Sequence, residues 1–454
     1  MLFLVFLIGF LLLSRVSVRL SLCERAGFAL PVGLVLVTVA MALMDWANIA
    51  LSAAHLAILT LTLLVGAAAL MWNRRREFLR SLRPRKTDWR WLNVLWALAL
   101  LAVIYLEAIN FSKCLIYPTY DRDSMAAFDT FGYVCAKEGT YHLMSIFDAS
   151  YMPSLHREGS AMSYMPMLQL SYAYVYAFGA STSKAVPAWL YLTFLFGMYG
   201  LCRRRMTRTL SVIVLLGIML TPEMTSFASL SITNVMHACM VGPAAIYIYL
   251  WMRRHRPTDL WMGSLLLLCG QWMRSESVVF TLVALALVAW QARRLHTLRP
   301  LLLPAAALLP LLLWVVYSHA CGLTVPSSII LPPFFDGHKF ATILRGVWRL
   351  LSGGSFYGLT FHFCFVAILL NVYFYARKKD TPALPVFLLA SLLLYILVIY
   401  HIRFVWDSLD NVLAYSVKRF MFCFIPMAWY IIGDTRLLRR LMWWIEEKCG
   451  LGCR

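Results

Sequence analysis

The residues best suited to chemistry lie in one polar segment, residues 117–179, which begins YPTYDRDSMAAFD. The rest of the chain is a series of apolar runs. The ionisable side chains of the first part of this segment are Asp121, Asp123, Asp129, Lys137, Asp148, His156 and Glu158. A carboxylate within hydrogen-bond reach is the usual base for removing a proton, and lysine or arginine stabilises negative charge that develops during a reaction. This segment is therefore the first candidate for a functional site.

Composition indicates that these residues belong to a membrane protein. Hydrophobic residues make up 61% of the 454 positions, and the mean hydropathy is +0.73. Many runs approach the ~20 residues that a helix needs to cross hydrocarbon, and the period-two alternation of a barrel strand is absent. We predict an all-α, polytopic transmembrane fold.

The net charge of +20 reports topology and does not indicate nucleic acid as a partner. The basic residues occur in short clusters directly after apolar runs, as expected for cytoplasmic loops. If every cluster faces the cytoplasm, the runs between clusters cross the membrane in pairs. The clusters are Arg15/Arg19/Arg25, Arg74 to Arg90, Arg203 to Arg208, Arg253 to Arg256, Arg293 to Arg299, Arg377 to Lys379 and Arg436 to Arg440.

This pattern predicts about thirteen crossings, with the N-terminus outside and the C-terminus inside. The first run is interpreted as a retained helix, because no cleavage site of signal-peptide type follows it. The predicted crossings are 1–13, 26–43, 53–72, 91–108, 186–201, 209–220, 235–251, 260–273, 278–292, 301–317, 357–375, 384–400 and 421–433.

The corresponding regions are N-terminal transmembrane helices (1–109), an outer catalytic loop with interfacial helices (110–185), central transmembrane helices (186–317), an outer loop (318–356) and C-terminal transmembrane helices with a tail (357–454). Residues 164–179 are too short for a crossing and carry four tyrosines. We predict a helix at the outer interface there, with Pro166 in its first turn, Gly179 after its end and the tyrosines at headgroup depth.

Folded in this way, the chain brings its less basic loops together on the outer face. These are residues 117–165, 222–234, 274–277, 318–354 and 401–419. Most of the 21 acidic residues fall on this side, so we expect an acidic outer cleft edged by a few cations.

Motifs of several other site types are missing from the sequence. There is no Gly-rich phosphate loop, no H-E-x-x-H and no G-x-S-x-G. His156, His319 and His401 do not have the spacing of a metal trio, so no metal ligands are predicted and use of a divalent cation stays open.

The outer loops carry a resemblance to the GT-C superfamily of integral-membrane glycosyltransferases, in its large bacterial branch. The branch begins its first large outer loop with W-D-x-W-x-Y-W, continues to a lysine-bearing helix and closes with Y-P. The counterparts here are the segments Asp123 to Phe128, Ala136-Lys137 and Tyr164-Met165-Pro166. Met125 and Phe128 replace tryptophans, and Met165 separates Tyr164 from the proline.

Two further motifs follow in the expected order. The branch has K-N-E-G where this chain has Arg274-Ser275-Glu276-Ser277, and S-x-K-R-[YF] where it has Ser416 to Phe420, followed by Pro426. An Asp that the branch often places in an intervening loop is Asn234 here.

The resemblance implies a sugar transfer from a polyprenyl-phosphate donor to a lipid-linked or cell-envelope glycan acceptor, by an inverting mechanism. It places the protein in the plasma (inner) membrane among membrane lipids, with the active site on the non-cytoplasmic side. Such a reaction needs one carboxylate as base and cations for the departing phosphate. We expect Asp123 as the base, with Asp121 as the second candidate. The structural alternative for either acid is to cap the following helix. The expected substrate-binding residues are Lys137, Tyr164, Arg274, Glu276, Arg403, Lys418 and Arg419, with Arg345 as a further candidate for the phosphate.

Two alternatives remain. An O-antigen polymerase or ligase would also be polytopic, but it would depend on outer arginines more than on an acid. A flippase for polyprenyl-linked glycans is the non-enzyme alternative, although the crossings carry few charges in their central parts and no internal repeat is evident. Dependence of turnover on one loop carboxylate separates an enzyme from a flippase.

Overall fold

A computed structural model describes residues 1–16, 20–82, 94–331, 334–377, 380–404 and 408–448. Helices account for 79% of the structure, and the described residues contain no β-strand. A single antiparallel bridge joins Ile329 to Ile402. The predicted all-α class is confirmed.

Eight helices are long and apolar enough to cross a membrane, and two bent helix pairs raise the number to as many as ten in the described ranges. The bent pairs are Arg208–Leu220 with Pro222–Ala228, at 76°, and Arg299–Ala306 with Leu309–Ala320, at 40°. The eight helices are Leu22–Trp46, Ala53–Trp72, Val94–Ile116, Ala185–Cys202, Thr233–Arg254, Ser277–Arg294, Ala383–His401 and Leu409–Gly433.

The predicted count of about thirteen crossings is not confirmed, although each predicted run coincides with helix. Three of the runs form helices of only 15 or 17 residues, namely Leu2–Val16, Pro257–Met273 and Thr360–Ala376. At 1.5 Å per residue, helices of this length span about 22–26 Å, less than a typical hydrocarbon core. The start of the predicted crossing at 91–108, and Arg19, Arg83, Arg85, Lys86, Arg90, Lys378 and Lys379 of the basic clusters, lie outside the described residues.

The remaining described elements are shorter or lie beside the bundle. The α-helices are Arg75–Leu82, Thr130–Glu138, Met167–Ala177, Gly337–Ser352, Gly354–Tyr357 and Arg436–Lys448. Two π-helical turns are Ser124–Asp129 and Leu413–Val417. Short 3₁₀ turns are Ser145–Phe147, Pro153–His156, Ala161–Ser163, Arg299–Leu301 and Met421–Cys423.

The helix Thr233–Arg254 forms the centre of the bundle. Its apolar window is fully buried, whereas the windows of Ala53–Trp72 and Val94–Ile116 are only 22% buried and expose large apolar side chains. These two helices lie at the periphery of the bundle and have the surface expected of helices that face lipid. Close helix contacts depend on small residues: a Cβ at Gly27 would lie 2.0 Å from the backbone N of Gly197.

The central helix also separates two polar ends of the molecule. Asn234, in its first turn, contacts Arg274, and Arg253, in its last turn, contacts Asp380. The helix has 22 residues, so these ends are about 30 Å apart. We call the first the acidic end and the second the basic end, because the predicted outer loops gather at the first and the basic clusters at the second.

The segment after Ile116 is fixed to the acidic end by a buried carboxylate. Asp45, at the end of the Leu22–Trp46 helix, accepts hydrogen bonds from Thr140 Oγ1 (2.8 Å), from the backbone N–H groups of Tyr141 (2.8 Å) and His142 (3.0 Å), and from Tyr317 Oη (2.5 Å). It also contacts the His142 ring at 2.8 Å. The acid thus joins three parts of the chain.

The helix Met167–Ala177 corrects the prediction of an interfacial helix. Its bounds agree with expectation, since Pro166 precedes it and Gly179 follows it with φ +80°. However, Tyr172 and Tyr174 are fully buried, and Tyr174 Oη lies 2.9 Å from Thr60 Oγ1. Packing against neighbouring helices therefore places these two tyrosines inside the protein, whereas an interfacial helix was expected to expose them.

Candidate functional site

The two candidate bases have different environments. Asp121 accepts a hydrogen bond from the backbone N–H of Ser124 (3.1 Å) and another from its hydroxyl (3.3 Å), so it caps the helix that begins beside it. Asp123 makes no capping bond, and its carboxylate forms an ion pair with the guanidinium of Arg419. The side chain of Asp123 is 42% exposed, so a substrate hydroxyl can reach it. Of the two acids, Asp123 is the one whose carboxylate is not used to cap the helix.

Arg274 and Glu276 form the second part of the site. The guanidinium donates from Nε to Oε2 (3.1 Å) and from Nη2 to Oε1 (2.6 Å), which is the two-pronged geometry of strong arginine–carboxylate pairs. The remaining Nη1 donates to Thr233 Oγ1 (3.0 Å) and to the Asn234 side-chain oxygen. Although burial raises the pKa of Glu276, the charge of Arg274 and its hydrogen bonds lower it to about 2. Glu276 therefore stays ionised at neutral pH and is unsuited to act as a general base.

Tyr164 joins the two ion pairs. Its ring stacks on the Phe128 ring, with centroids 5.4 Å apart. Phe128 lies about one turn beyond Asp123 on the same helix. Burial raises the pKa of the Tyr164 phenol. The charge of Arg274 opposes this rise, Asp123 and Glu276 add to it, and Arg419 opposes it. Both ion pairs thus affect the pKa of one phenol, which indicates that the three motifs lie near one another.

Lys418 is largely buried and paired with an acid. Its ammonium group lies 3.1 Å from Glu223 Oε1 and 4.6 Å from the centroid of the Phe356 ring, and the residue is 8% exposed. In this structure the ammonium group is therefore held in the wall of the site by Glu223 and Phe356. The predicted loop 401–419 is also corrected, because the chain is helical from Leu409 onward.

Both helices that meet at the Asp123–Arg419 pair contain a π-helical turn. Ser124–Asp129 directly follows Asp123, and Leu413–Val417 directly precedes Lys418. Such turns insert extra backbone into a helix and are frequent at functional sites. Here they set the direction in which the charged side chains leave their helices.

A cavity of about 580 Å³ adjoins these residues at the acidic end. The helix Gly337–Ser352 contributes Arg345 and Arg349, which are one turn apart and both line the cavity. Phe356, the ring beneath Lys418, lines it as well. Its full lining is His338, Thr342, Arg345, Gly346, Arg349, Leu350, Phe356, Asp410, Leu413 and Ala414. The size is that of a ligand pocket, and the two arginines make it suitable for an anion.

Two expected substrate-binding residues do not join the site. Lys137 is exposed and lies over the Tyr133 ring at 5.5 Å, fourteen positions from Asp123 along the same helical segment, a distance of about 20 Å. Arg403 is exposed, and its backbone N–H donates to Ser328 O at 2.8 Å. No ion pair joins the Arg403 side chain to any residue of the described ranges.

Other polar residues of the 117–165 loop have local structural contacts. Asp129 accepts a hydrogen bond from Tyr176 Oη at 2.6 Å, and Asp148 accepts from Ser150 N at 2.8 Å. His156 Nε2 lies 2.9 Å from Phe147 O. These contacts maintain the shape of the loop.

Glu223 and Arg349 were not predicted from the sequence, whereas Arg345 was predicted as a further candidate for the phosphate. Glu223 follows Pro222 at the bend of a broken span, and an acid at the end of an apolar run is a signal that sequence reading can use. Arg345 and Arg349 share one face of a helix, but only the tertiary structure shows that this face borders the site. No group of three or more metal-ligating side chains occurs in the described ranges.

Comparison of the chain with protein-family models, with curated proteins and with solved structures gives no match.

Proposed function

We propose that this protein is a membrane glycosyltransferase that moves a sugar from a polyprenyl-phosphate donor to a glycan or lipid-linked acceptor. The observation that supports the proposal best is the convergence of three motifs that are far apart in the sequence. Asp123 pairs with Arg419, 296 positions away, and both this pair and the Arg274–Glu276 pair are near enough to Tyr164 to affect the pKa of its phenol. The resemblance to the polytopic GT-C enzymes rests on the same three motifs. The proposal includes a membrane domain of about thirteen crossings.

The proposed chemistry assigns one step to each charge. The acceptor oxygen attacks the anomeric carbon of the donor, forming a new C–O bond while the bond from that carbon to the phosphate oxygen breaks. Asp123 takes the proton of the acceptor hydroxyl. The lipid phosphate leaves as an anion, so it needs no acid but benefits from nearby cations. A single displacement inverts the anomeric centre.

Arg419 links donor binding to the base. A guanidinium binds phosphate through paired hydrogen bonds, so a donor phosphate competes with Asp123 for Arg419. When Arg419 turns to the phosphate, the Asp123 carboxylate becomes available to the acceptor hydroxyl. Arg345 and Arg349 line the adjoining cavity and are suited to bind the same phosphate group, on the side of its lipid chain.

The proposed site is on the non-cytoplasmic face of the plasma membrane. It lies at the acidic end, whereas the arginine clusters gather at the opposite end of the central helix. Basic residues favour the cytoplasmic side in membrane proteins. The acceptor would then be a cell-envelope glycan or a lipid-linked precursor of one.

The test is transfer of labelled sugar from a polyprenyl-phosphate donor by the purified full-length protein in lipid nanodiscs. Asp123→Asn keeps the size of the side chain but cannot accept the proton, so transfer should fall by about 10²-fold or more. Binding of the donor should persist, because an exposed ion pair contributes little to the stability of the fold.

Asp121→Asn is the matched control. Asparagine caps helices about as well as aspartate, so this variant should keep nearly normal transfer. Equal activity of the wild-type and Asp123→Asn proteins would remove the catalytic role of this loop and favour a transport function.

A further inference from the structure

A second cavity lies at the basic end, about 30 Å from the proposed site. Its volume is about 640 Å³, and two carboxylates, Asp380 and Glu446, line it together with eight arginines. The arginines are Arg203, Arg204, Arg205, Arg208, Arg253, Arg436, Arg439 and Arg440. They come from the turn between two spans, from the end of the central helix and from the last helix of the chain. The wall of this cavity is therefore strongly positive.

Carboxylates balance only part of this charge. Arg204 contacts Glu24 at 2.6 Å and also pairs with Asp259. Arg205 contacts Asp434 at 2.6 Å. These contacts neutralise the charge of the arginines that are packed against the bundle.

Three lining arginines have no such balance. Arg208, Arg436 and Arg440 form no ion pair with a carboxylate of the described ranges. Arg436 lies over the Phe374 ring at 4.7 Å, which orders its guanidinium without neutralising it. The unbalanced charge borders one shared, half-open cavity, whereas cations that only mark topology need no common cavity.

Arg208 strengthens this interpretation by its place in a helix. It is the first residue of the 13-residue helix Arg208–Leu220, where the helix dipole is positive and a cation is unfavourable. The next backbone N–H, of Thr209, donates to Glu446 Oε1 at 3.2 Å, so one anionic group already occupies this end. A second anion would offset both the dipole and the guanidinium.

We propose that this cavity binds a phosphate-bearing anion. Guanidinium groups match the geometry of phosphate oxygens, and several of them around one space favour a group with more than one negative charge. The volume accommodates a diphosphate or a phosphorylated lipid headgroup. This inference does not depend on the proposed glycosyl transfer.

The surroundings make a membrane lipid the natural source of the phosphate. Trp443 lines the cavity and is 60% exposed, and Leu437 and Trp444 on the same helix are 61% and 54% exposed. The helix Arg436–Lys448 thus has both tryptophans and arginines, as helices that lie in a membrane interface do. The headgroup of a lipid beside the helix Arg436–Lys448 would reach the arginines from the membrane, whereas a soluble phosphate would enter the cavity from water.

The experiment measures binding of two probes to the purified full-length protein in detergent. Dioleoyl phosphatidic acid, with phosphatidylcholine as reference, is followed by native mass spectrometry, and sodium pyrophosphate is followed by calorimetry. The variant R208Q/R440Q removes two cavity arginines. It should weaken binding of at least one probe by about tenfold or more, since each charge-assisted hydrogen bond contributes appreciably to binding.

R76Q/R293Q is the control, because it removes the same charge from two exposed arginines outside the cavity. Selective loss of phosphatidic acid identifies a lipid, selective loss of pyrophosphate identifies a soluble phosphate, and loss of both supports a general phosphate site. If R208Q/R440Q elutes as an aggregate, R440Q alone, at an exposed position, replaces it. The proposal is overturned if the wild-type protein binds neither probe, if the cavity variant binds as tightly as wild type, or if the control weakens binding equally.

Discussion

Asp121 and Asp123 are only two residues apart, yet hydrogen bonding gives them separate roles. Asp121 satisfies donors in the first turn of a helix, whereas Asp123 points away from that turn and contacts Arg419. Sequence spacing alone left both acids as candidates, since either could have capped the helix. The direction of a side chain at a helix start depends on where the helix begins, and here that point lies next to a π-helical turn.

The lowered pKa of Glu276 predicts a stability change at acidic pH. The folded value of about 2 lies below the ordinary value of 4.5, so the Arg274–Glu276 pair contributes its full stability above about pH 4.5 and loses it as pH falls toward 2. Glu276→Gln should lower the Tm at pH 7, because it leaves Arg274 without its carboxylate. The Tm difference between the two proteins should shrink between pH 4.5 and pH 3.

Thermal unfolding of the detergent-solubilised proteins at several pH values measures this difference. Glu447→Gln, at an exposed position, is the control and should leave the Tm unchanged throughout. A Tm difference that changes between pH 5 and pH 8 would show that Glu276 titrates there and would contradict the role of the pair.

At the scale of elements, the shape of the outer loop depends on one acid of the bundle. Asp45 receives hydrogen bonds from two residues' backbone N–H groups and from the hydroxyls of Thr140 and Tyr317. Asp45→Asn presents an amide group to some of these donors and leaves them unsatisfied. We expect a loss of about 3 kcal/mol or more in the free energy of unfolding.

Asp148→Asn provides the comparison, because Asp148 is an exposed acid of the same loop whose carboxylate accepts hydrogen bonds from Ser150. Its effect should stay within about 1 kcal/mol. Chemical unfolding of both variants in detergent, followed by tryptophan fluorescence, measures the two losses. Equal losses would mean that Asp45 does not anchor the loop.

The length of the apolar runs in the sequence predicted where helices form, but it did not predict what each helix packs against. The helix Met167–Ala177 was expected from Pro166 and Gly179, and its bounds agree with the structure. Its burial was missed because tyrosines suit both an interface and a protein core. The helix from Leu409 was missed because Asp410, Asn411, Ser416 and Lys418 interrupt the apolar residues of its first part. Packing against Gly337–Ser352 and the bundle decided its conformation.

At the scale of the whole molecule, charged residues gather at the two ends of one central helix, and arginines dominate the basic end. The basic clusters in the sequence indicated which segments share an end, and Arg204, Arg205, Arg253 and Arg439 do gather there. Their carboxylate partners were not predicted, because Glu24, Asp259, Asp380 and Asp434 lie in different runs and meet only through folding. The convergence of Asp123, Arg274 and Arg419 was expected from the grouping of outer loops, whereas Lys137 was too far along its helix to join them.

The most direct test of the central proposal is a cryo-electron microscopy structure of the full-length protein with a polyprenyl-phosphate sugar bound. The phosphate should lie beneath the 117–165 loop, with Arg419 turned from Asp123 to a phosphate oxygen and the anomeric carbon on the side of Asp123. Arg345 or Arg349 should be within hydrogen-bond distance of the same phosphate. A donor bound with its phosphate at the basic end, or at the acidic end with the Asp123–Arg419 pair unchanged and the sugar distant from Asp123, would contradict the proposed function.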